Sequence, residues 1–316
     1  MSEIPQSHPD QGELRTDFLG RMVVLTPGRA GRPHDFAPTM PVKKTPPADC
    51  YFCPGNESKT PPEIARVDDP AQKGAWLCRS FPNKFPAFSG AWPKAHGLHE
   101  VVVETPRHEQ TLSQLSDSQL SQYLGLVVRR LRAHARERKS KVTFVFKNEW
   151  EGAGASLEHT HTQLVALPEV PPAIKQMEKA CKTNCPFCLL SIDDRYPKIV
   201  PDGQFLWLTP FAPRFNYESW IVPRNHVASM TDLDENSLSD LARVLGKALR
   251  AQDACLNYAP YNILFYLAPY KQKNFHFHIE LAPRIAKWAG FEMGSGVVMN
   301  SVRPEFAAEE LRKQIQ

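Results

Sequence analysis

The sequence predicts an α+β fold made by tandem duplication, with antiparallel sheets and a packed helix in each half. Two observations carry this reading: an order of sequence features that occurs twice, and a matched placement of cysteines and histidines along both copies. In the first half the stretch VVVETPRHEQTLSQLSDSQL ends at Leu120, and in the second SWIVPRNHVASMTDLDENSL ends at Leu238. Each holds an apolar run, then a histidine (His108, His226), then a leucine seven residues on (Leu115, Leu233), and then a polar cap.

The elements follow in order. Ser116 and Asp234 carry the short polar side chains that cap helix N-termini. Behind them Leu120, Leu124, Val127, Val128 and Leu131 recur at helical spacing, as do Leu238, Leu241, Val244, Leu245 and Leu249. A β-rich run comes next in each copy, VTFVF at 142–146 and YNILFYL at 261–267, and then a His-x-His pair: His159 with His161, and His276 with His278. The 29 prolines concentrate before residue 95 and around 168–172. Those stretches read as irregular segments and as a linker between the copies over 168–182.

At 316 residues the chain has room for about two domains. Hydrophobic residues make up 42% and charged residues 23%, with 38 Lys and Arg against 34 Asp and Glu, a formal charge of +4. That is the composition of an ordinary globular chain. The small, dispersed charge excess argues against an extended nucleic-acid surface. A mean hydropathy of −0.41 excludes a transmembrane helix, as does the lack of an apolar run near the roughly 18 residues that one needs. The start, MSEIPQSHPDQGEL, lacks the basic and apolar regions of a secretory signal. The expectation is a cytoplasmic protein with neither membrane nor nucleic acid as partner.

Four of the seven cysteines form two C-x-x-C pairs, Cys50 with Cys53 and Cys185 with Cys188, while Cys78, Cys181 and Cys255 stand alone. Two intervening residues let both thiolates reach one tetrahedral ion. A redox pair would want a strand-to-helix junction, whereas Cys53 runs into Pro54-Gly55 and Cys188 into Leu189-Leu190-Ser191. A lone His108 or His226 would read as a surface or core histidine; their matched positions in two copies favour a ligand role. The ligand sets are then Cys50, Cys53, His108 and His159, and Cys185, Cys188, His226 and His276. Each is a closed Cys2His2 set, as a structural zinc requires, so two zinc ions per chain are expected.

The first His-x-His follows Asn148-Glu149-Trp150-Glu151-Gly152-Ala153-Gly154-Ala155-Ser156-Leu157-Glu158 and continues into Thr162-Gln163. Small residues there let the backbone approach a phosphate closely. A neutral imidazole is a competent nucleophile toward phosphorus. On an extended strand Gln163 shares the face of His161 and can donate to a phosphoryl oxygen. The second pair lacks the small-residue approach and has Glu280 in the glutamine position, so it reads as structural.

At these residues the chain resembles the galactose-1-phosphate uridylyltransferase branch of the histidine-triad superfamily. Three further motifs support the likeness: the run from Arg15 to Pro33, the segment Phe81-Pro82-Asn83-Lys84-Phe85-Pro86-Ala87, and Lys287-Trp288-Ala289-Gly290-Phe291-Glu292-Met293 followed by an acidic helix from Pro304 to Lys313. The resemblance implies two histidine-triad-like domains, 1–175 with the nucleophile and 176–316, meeting around one active site. It makes His161 the nucleophile that becomes nucleotidylated, with Gln163 and Ser156 on the transferred phosphoryl group. It puts Asn148 at the nucleotide diphosphate, Asn83 and Phe85 at the nucleoside, and Arg29 and Arg32 at phosphate. Lys287, Phe291 and Glu292 match the hexose end, and a homodimer is implied. The implied reaction exchanges a nucleotidyl group between hexose 1-phosphates, with UDP-glucose and galactose 1-phosphate as the default pair. An ADP-sugar phosphorylase or adenylyltransferase is the alternative within enzymes, and a non-catalytic zinc-stapled nucleotide-binding protein the alternative outside them. Three departures from the family pattern stand out: Thr160 where proline is usual, which resembles a divergent branch that includes ADP-glucose phosphorylase; Lys84 where an acidic residue is usual, which bears on nucleoside selection; and the pair Cys185 and Cys188 at the second metal set, where well-known members use a histidine near the position of Tyr266. The glutamine at 163, which cannot shuttle a proton, favours transfer over the hydrolysis of His-x-His-x-His relatives.

Overall fold

The computed structural model describes residues 11–29, 43–201 and 203–315. In chain order, β1 (Glu13–Thr16) and β2 (Met22–Leu25) form a hairpin. The first copy then runs through β3 (Ala65–Asp68), β4 (Trp76–Pro82), β5 (Leu98–Val103), α1 (Asp117–His134), β6 (Val142–Glu149) and β7 (His161–Leu167). Helix α2 (Pro172–Cys181) leads to the second copy: β8 (Lys198–Val200), β9 (Phe205–Leu208), β10 (Ser219–Pro223), α3 (Glu235–Leu256), β11 (Tyr261–Tyr266) and β12 (His278–Pro283). The chain closes with α4 (Gly290–Ser295), β13 (Val298–Asn300) and α5 (Pro304–Lys313).

Ten strands form one sheet in the order β3-β4-β5-β7-β6-β11-β12-β10-β9-β8. Every neighbouring pair in it is antiparallel. Read outward from the middle, the two halves follow the same plan, so the duplication seen in the sequence is a pseudo-symmetric sheet. The copies meet where β6 pairs β11, from Tyr261 opposite Glu149 to Phe265 opposite Val145. A small sheet of β1, β2 and β13 sits apart, with β13 parallel to β2.

Helices α1 and α3 cover one face of the large sheet and lie against each other. Ser116 caps α1 by accepting from the Gln119 N–H at 3.2 Å, while the Gln119 side chain accepts from the Ser116 N–H. Asp234 caps α3 by accepting from the Ser237 N–H at 2.7 Å. The buried stripe of α1, including Leu120, Leu124, Val127 and Leu131, meets Leu241, Leu245 and Leu249 of α3 over Val145, Leu164, Ile279 and Leu281 of the sheet. Gly246 permits the close crossing, since a Cβ there would stand 2.7 Å from the Leu120 Cδ1. Among the described residues no helix is long and apolar enough to cross a membrane.

Two local details stand out, the second of which changes an expectation. The extended ladder begins at the second histidine of each pair, His161 and His278, and leaves His159 and His276 just ahead of it. The proline-rich linker is not wholly irregular: Pro172 takes the first position of α2, where its missing N–H has no partner to lose, and Ile174, Met177 and Cys181 are buried. The 175/176 division falls within this helix.

Candidate active site and metal centres

Both Cys2His2 sets converge. Cys53 Sγ lies 3.2 Å from His108 Nδ1 and 3.5 Å from His159 Nδ1, and Cys50 Sγ lies 3.5 Å from His159 Nδ1. In the second set Cys188 Sγ lies 3.4 Å from His226 Nδ1 and 3.5 Å from His276 Nδ1, with Cys185 Sγ 3.6 Å from His276 Nδ1. All four ligand atoms of each set fall within 4.8 Å of one another. A tetrahedral ion with bonds of about 2.3 Å to sulfur and about 2.0 Å to nitrogen spaces those ligands about 3.5 Å apart, so both sets fit one. Backbone carbonyls fix three of the rings: Nε2–H donates from His159 to Thr105, from His276 to Pro223 and from His226 to Lys273. That leaves Nδ1 as the ligand atom. The first set is buried throughout, whereas Cys188 and His226 of the second are exposed.

The pleat of β7 turns His161 and Gln163 away from the helices and Thr162 and Leu164 toward them. On the open face lies a cavity of about 530 Å³ lined by His161, Gln163, Ser156, Asn83, Lys84, Phe85 and His99, among others. His161 donates Nδ1–H to the His159 carbonyl at 2.9 Å, which leaves the Nε2 lone pair free for the cavity. Phe52, between the two cysteines of the first metal set, packs edge-on to the His161 ring at 5.3 Å. Burial, with the nearby Lys147 charge, holds the His161 imidazole down at about 4, so the ring is neutral at pH 7. The cavity can therefore offer a neutral nitrogen nucleophile beside hydrogen-bond donors.

The remaining sequence-derived candidates are placed as follows. Ser156, Asn83 and Phe85 line the cavity with His161 and Gln163. Asn148 does not; its amide donates weakly to the Gly154 carbonyl at 3.4 Å and accepts from Asn262 at 2.8 Å, so it braces the loop before the histidines. That loop begins at Trp150, whose φ of 67° is uncommon for a residue with a side chain. Lys287 and Glu292 line a different, small cavity with Arg214 and Trp288, and Phe291 is about half exposed. Arg29 ends a 3-10 turn, Pro27–Arg29. Arg32 lies outside the described residues.

Sequence reasoning missed three features. His99 reaches Gln163 across the β5–β7 pairing, and its only signal is a place two residues before Val101, which pairs Gln163. Lys147 is fully buried between Glu104 and Glu149, at 3.0 and 2.8 Å, behind the strand that carries His161. In the second copy the counterpart of the cavity is plugged. His278 stacks between Phe187 at 4.4 Å and Tyr266 at 4.8 Å. Its neighbour Glu280, in the place of Gln163, is gripped by Arg21 at 2.8 Å and by Arg214. Burial would raise the Glu280 carboxyl, but the two arginines outweigh it and hold it at about 2.

Comparison with known proteins places the chain in a family. The family model for the N-terminal domain of galactose-1-phosphate uridyl transferase matches residues 10–171. ADP-glucose phosphorylase of Arabidopsis thaliana is 31% identical over 95% of this chain and 92% of the relative. The galactose-1-phosphate uridylyltransferase of Thermotoga maritima is 32% identical over 70% of this chain and 75% of the relative. The crystal structure of an Arabidopsis ADP-glucose phosphorylase with bound ADP-glucose superposes with a TM-score of 0.85 at 30% identity, covering 96% of this chain and 98% of that one. The chain belongs to the galactose-1-phosphate uridylyltransferase family of nucleotidyltransferases.

Proposed function

We propose that the chain moves a nucleoside monophosphate by double displacement through a nucleotidyl-His161, with ADP-glucose as donor and inorganic phosphate as acceptor. The observation that carries this is the His161 ring, held by its Nδ1–H on the His159 carbonyl with Nε2 directed to a cavity of nucleotide size. Nε2 attacks the α-phosphorus in line, the P–N bond forms, and the P–O bond to glucose 1-phosphate breaks. A phosphate oxygen then attacks the same phosphorus, the P–N bond breaks, and ADP leaves with the imidazole neutral again. Ser156 and Gln163 bind the phosphoryl oxygens, and Asn83 and Phe85 take the nucleoside; their contribution is positioning and charge neutralisation. Zinc in the two Cys2His2 sets supplies cross-links, the first of them tying segment 50–53 to His108 and His159.

ADP-glucose is placed ahead of UDP-glucose because the relative solved with ADP-glucose bound resembles this chain over nearly its whole length. The second reading, uridylyl exchange between UDP-glucose and galactose 1-phosphate, is favoured by the Thermotoga relative. A homodimer belongs to the proposal: Lys287, Phe291 and Glu292 do not line the His161 cavity of their own chain, so a hexose-end role needs a second copy to bring them.

The test is to incubate the protein separately with α-phosphate-labelled ADP-glucose and UDP-glucose. Acid-labile, base-stable label from ADP-glucose that His161→Asn abolishes supports the leading reading, and label from UDP-glucose alone moves the enzyme to the exchange reaction. Wild-type protein that takes label from neither would sink the covalent mechanism for these donors.

A further inference from the structure

A carboxamide has a donor end and an acceptor end, and only the donor end of Gln163 can serve a phosphoryl oxygen. His99 decides which end faces the cavity. Its Nδ1 lies 3.0 Å from the backbone N of Ala87, which can only donate, so Nδ1 accepts and carries no proton. The neutral ring must then carry its proton on Nε2. That Nε2 lies 2.9 Å from Gln163 Oε1 and donates to it. Asn83 cannot take this proton: its Oδ1 already accepts from the Phe85 N–H at 2.9 Å, and its amide nitrogen, 3.1 Å from Nε2, is itself a donor. With Nε2 protonated that contact is not a hydrogen bond, and the Nε2 proton goes to Gln163.

The chain of directions is thus fixed from the backbone outward: Ala87 N–H to His99, and His99 N–H to the oxygen of Gln163. The Gln163 amino group is left for the cavity, and among the described residues no protein group accepts from it. The strand pairing makes this possible. Val101 stands opposite Gln163, and His99, two residues earlier, shares its face and reaches Gln163 on the diagonal. Turned the other way, the carboxamide would set its oxygen against an anionic phosphoryl oxygen.

We propose that His99 is a positioning residue that locks Gln163 with its amino end toward the transferred phosphoryl group, an inference that rests on the nucleotidyl-transfer reading above. The experiment is a double-mutant cycle on the single-turnover rate of label transfer from α-labelled ADP-glucose, or UDP-glucose if that is the donor, combined with ring-nitrogen NMR of His99 in the wild-type protein. His99→Leu should slow transfer about 100-fold, as loss of one oriented donor does, while zinc content and KM stay near wild type. His99→Gln, which puts an amide N–H near the former Nε2, should recover to within about tenfold of wild type. In a Gln163→Ala background His99→Leu should add less than about a twofold loss, because both act on one hydrogen bond. The NMR spectrum should show the Nε2–H tautomer at pH 7. An Nδ1–H tautomer, or additive losses in the cycle with a wild-type protein that does take label, overturns the role of His99 and leaves the covalent mechanism standing. A wild-type protein that takes no label from either donor, whatever its tautomer, removes the mechanism and this inference together.

Discussion

The hydroxyl of Thr160 lies 2.6 Å from the ammonium nitrogen of Lys147, and both groups are buried behind the strand that begins at His161. Lys147 also donates to Glu104 at 3.0 Å and to the His161 carbonyl at 3.3 Å, while Thr160 donates to Glu104 at 2.6 Å. Where the family usually has proline, this chain therefore has a hydroxyl wired into a buried cation with two carboxylates. Thr160→Val should destabilise the protein by about 1–3 kcal/mol, because shape is kept and buried partners are orphaned. Lys147→Met should cost more, about 3–5 kcal/mol, since it leaves two buried carboxylates without their cation. Urea denaturation of both variants checks the order; equal, negligible losses would show that the cluster holds nothing.

The two metal sets differ in exposure, and chelation should reveal it. Cys188 and His226 are open to solvent, while every ligand of the first set is buried. A strong chelator should release metal in two phases of similar size, the fast one from the second set. Cys188→Ser should delete the fast phase and Cys53→Ser the slow one, with the latter also losing folded protein because metal binding is coupled to folding. A colorimetric metal indicator follows both phases.

The plugged copy should be chemically silent. His278→Asn should leave stoichiometric labelling from the nucleotide-sugar donor in place, whereas His161→Asn removes it. Glu280→Gln, in contrast, takes away the carboxylate that Arg21 and Arg214 share, and should destabilise the fold by about 3–5 kcal/mol. Thermal melting and labelling of the same preparations separate the two effects.

Asp253, on α3, gives the fold a pH dependence of its own. Burial pushes its carboxyl up to about 7, outweighing the hydrogen bond with Ser113. In the unfolded chain the carboxyl titrates near about 4, so between about 4 and 7 the folded state holds the extra proton and stability falls as pH rises. Asp253→Asn should therefore be more stable than wild type at pH 8, by at most about 4 kcal/mol, and show little advantage at pH 4. Urea midpoints at both pH values decide it; an advantage equal at the two would assign the effect to packing.

The metal sets and the order of elements were legible because they repeat: two C-x-x-C pairs, two spaced histidines and two His-x-His pairs constrain one another. Ser116 and Asp234 announced their helices through local chemistry alone. His99 was illegible because its partner is 64 residues away, and only the β5–β7 register brings the two together. Lys147 sits near the end of a β-rich run, where a polar residue ordinarily marks the way out to solvent; its burial depends on carboxylates supplied by β6 and by Glu104 after β5. The arginines that close the second copy come from Arg21, before β2, and from Arg214, before β10, so no local pattern could pair both with Glu280.

The pairing of β6 with β11 has a further consequence, for what becomes of either copy alone. A fragment ending after β7 would expose the backbone donors and acceptors along β6, and a fragment beginning at β8 would expose those along β11. Each bare edge has its best-fitting cover in the other fragment, so the two pieces made as separate polypeptides are expected to reassemble rather than persist apart. The second copy, whose own cavity is filled, is then expected to serve the first by covering its β6 edge with β11.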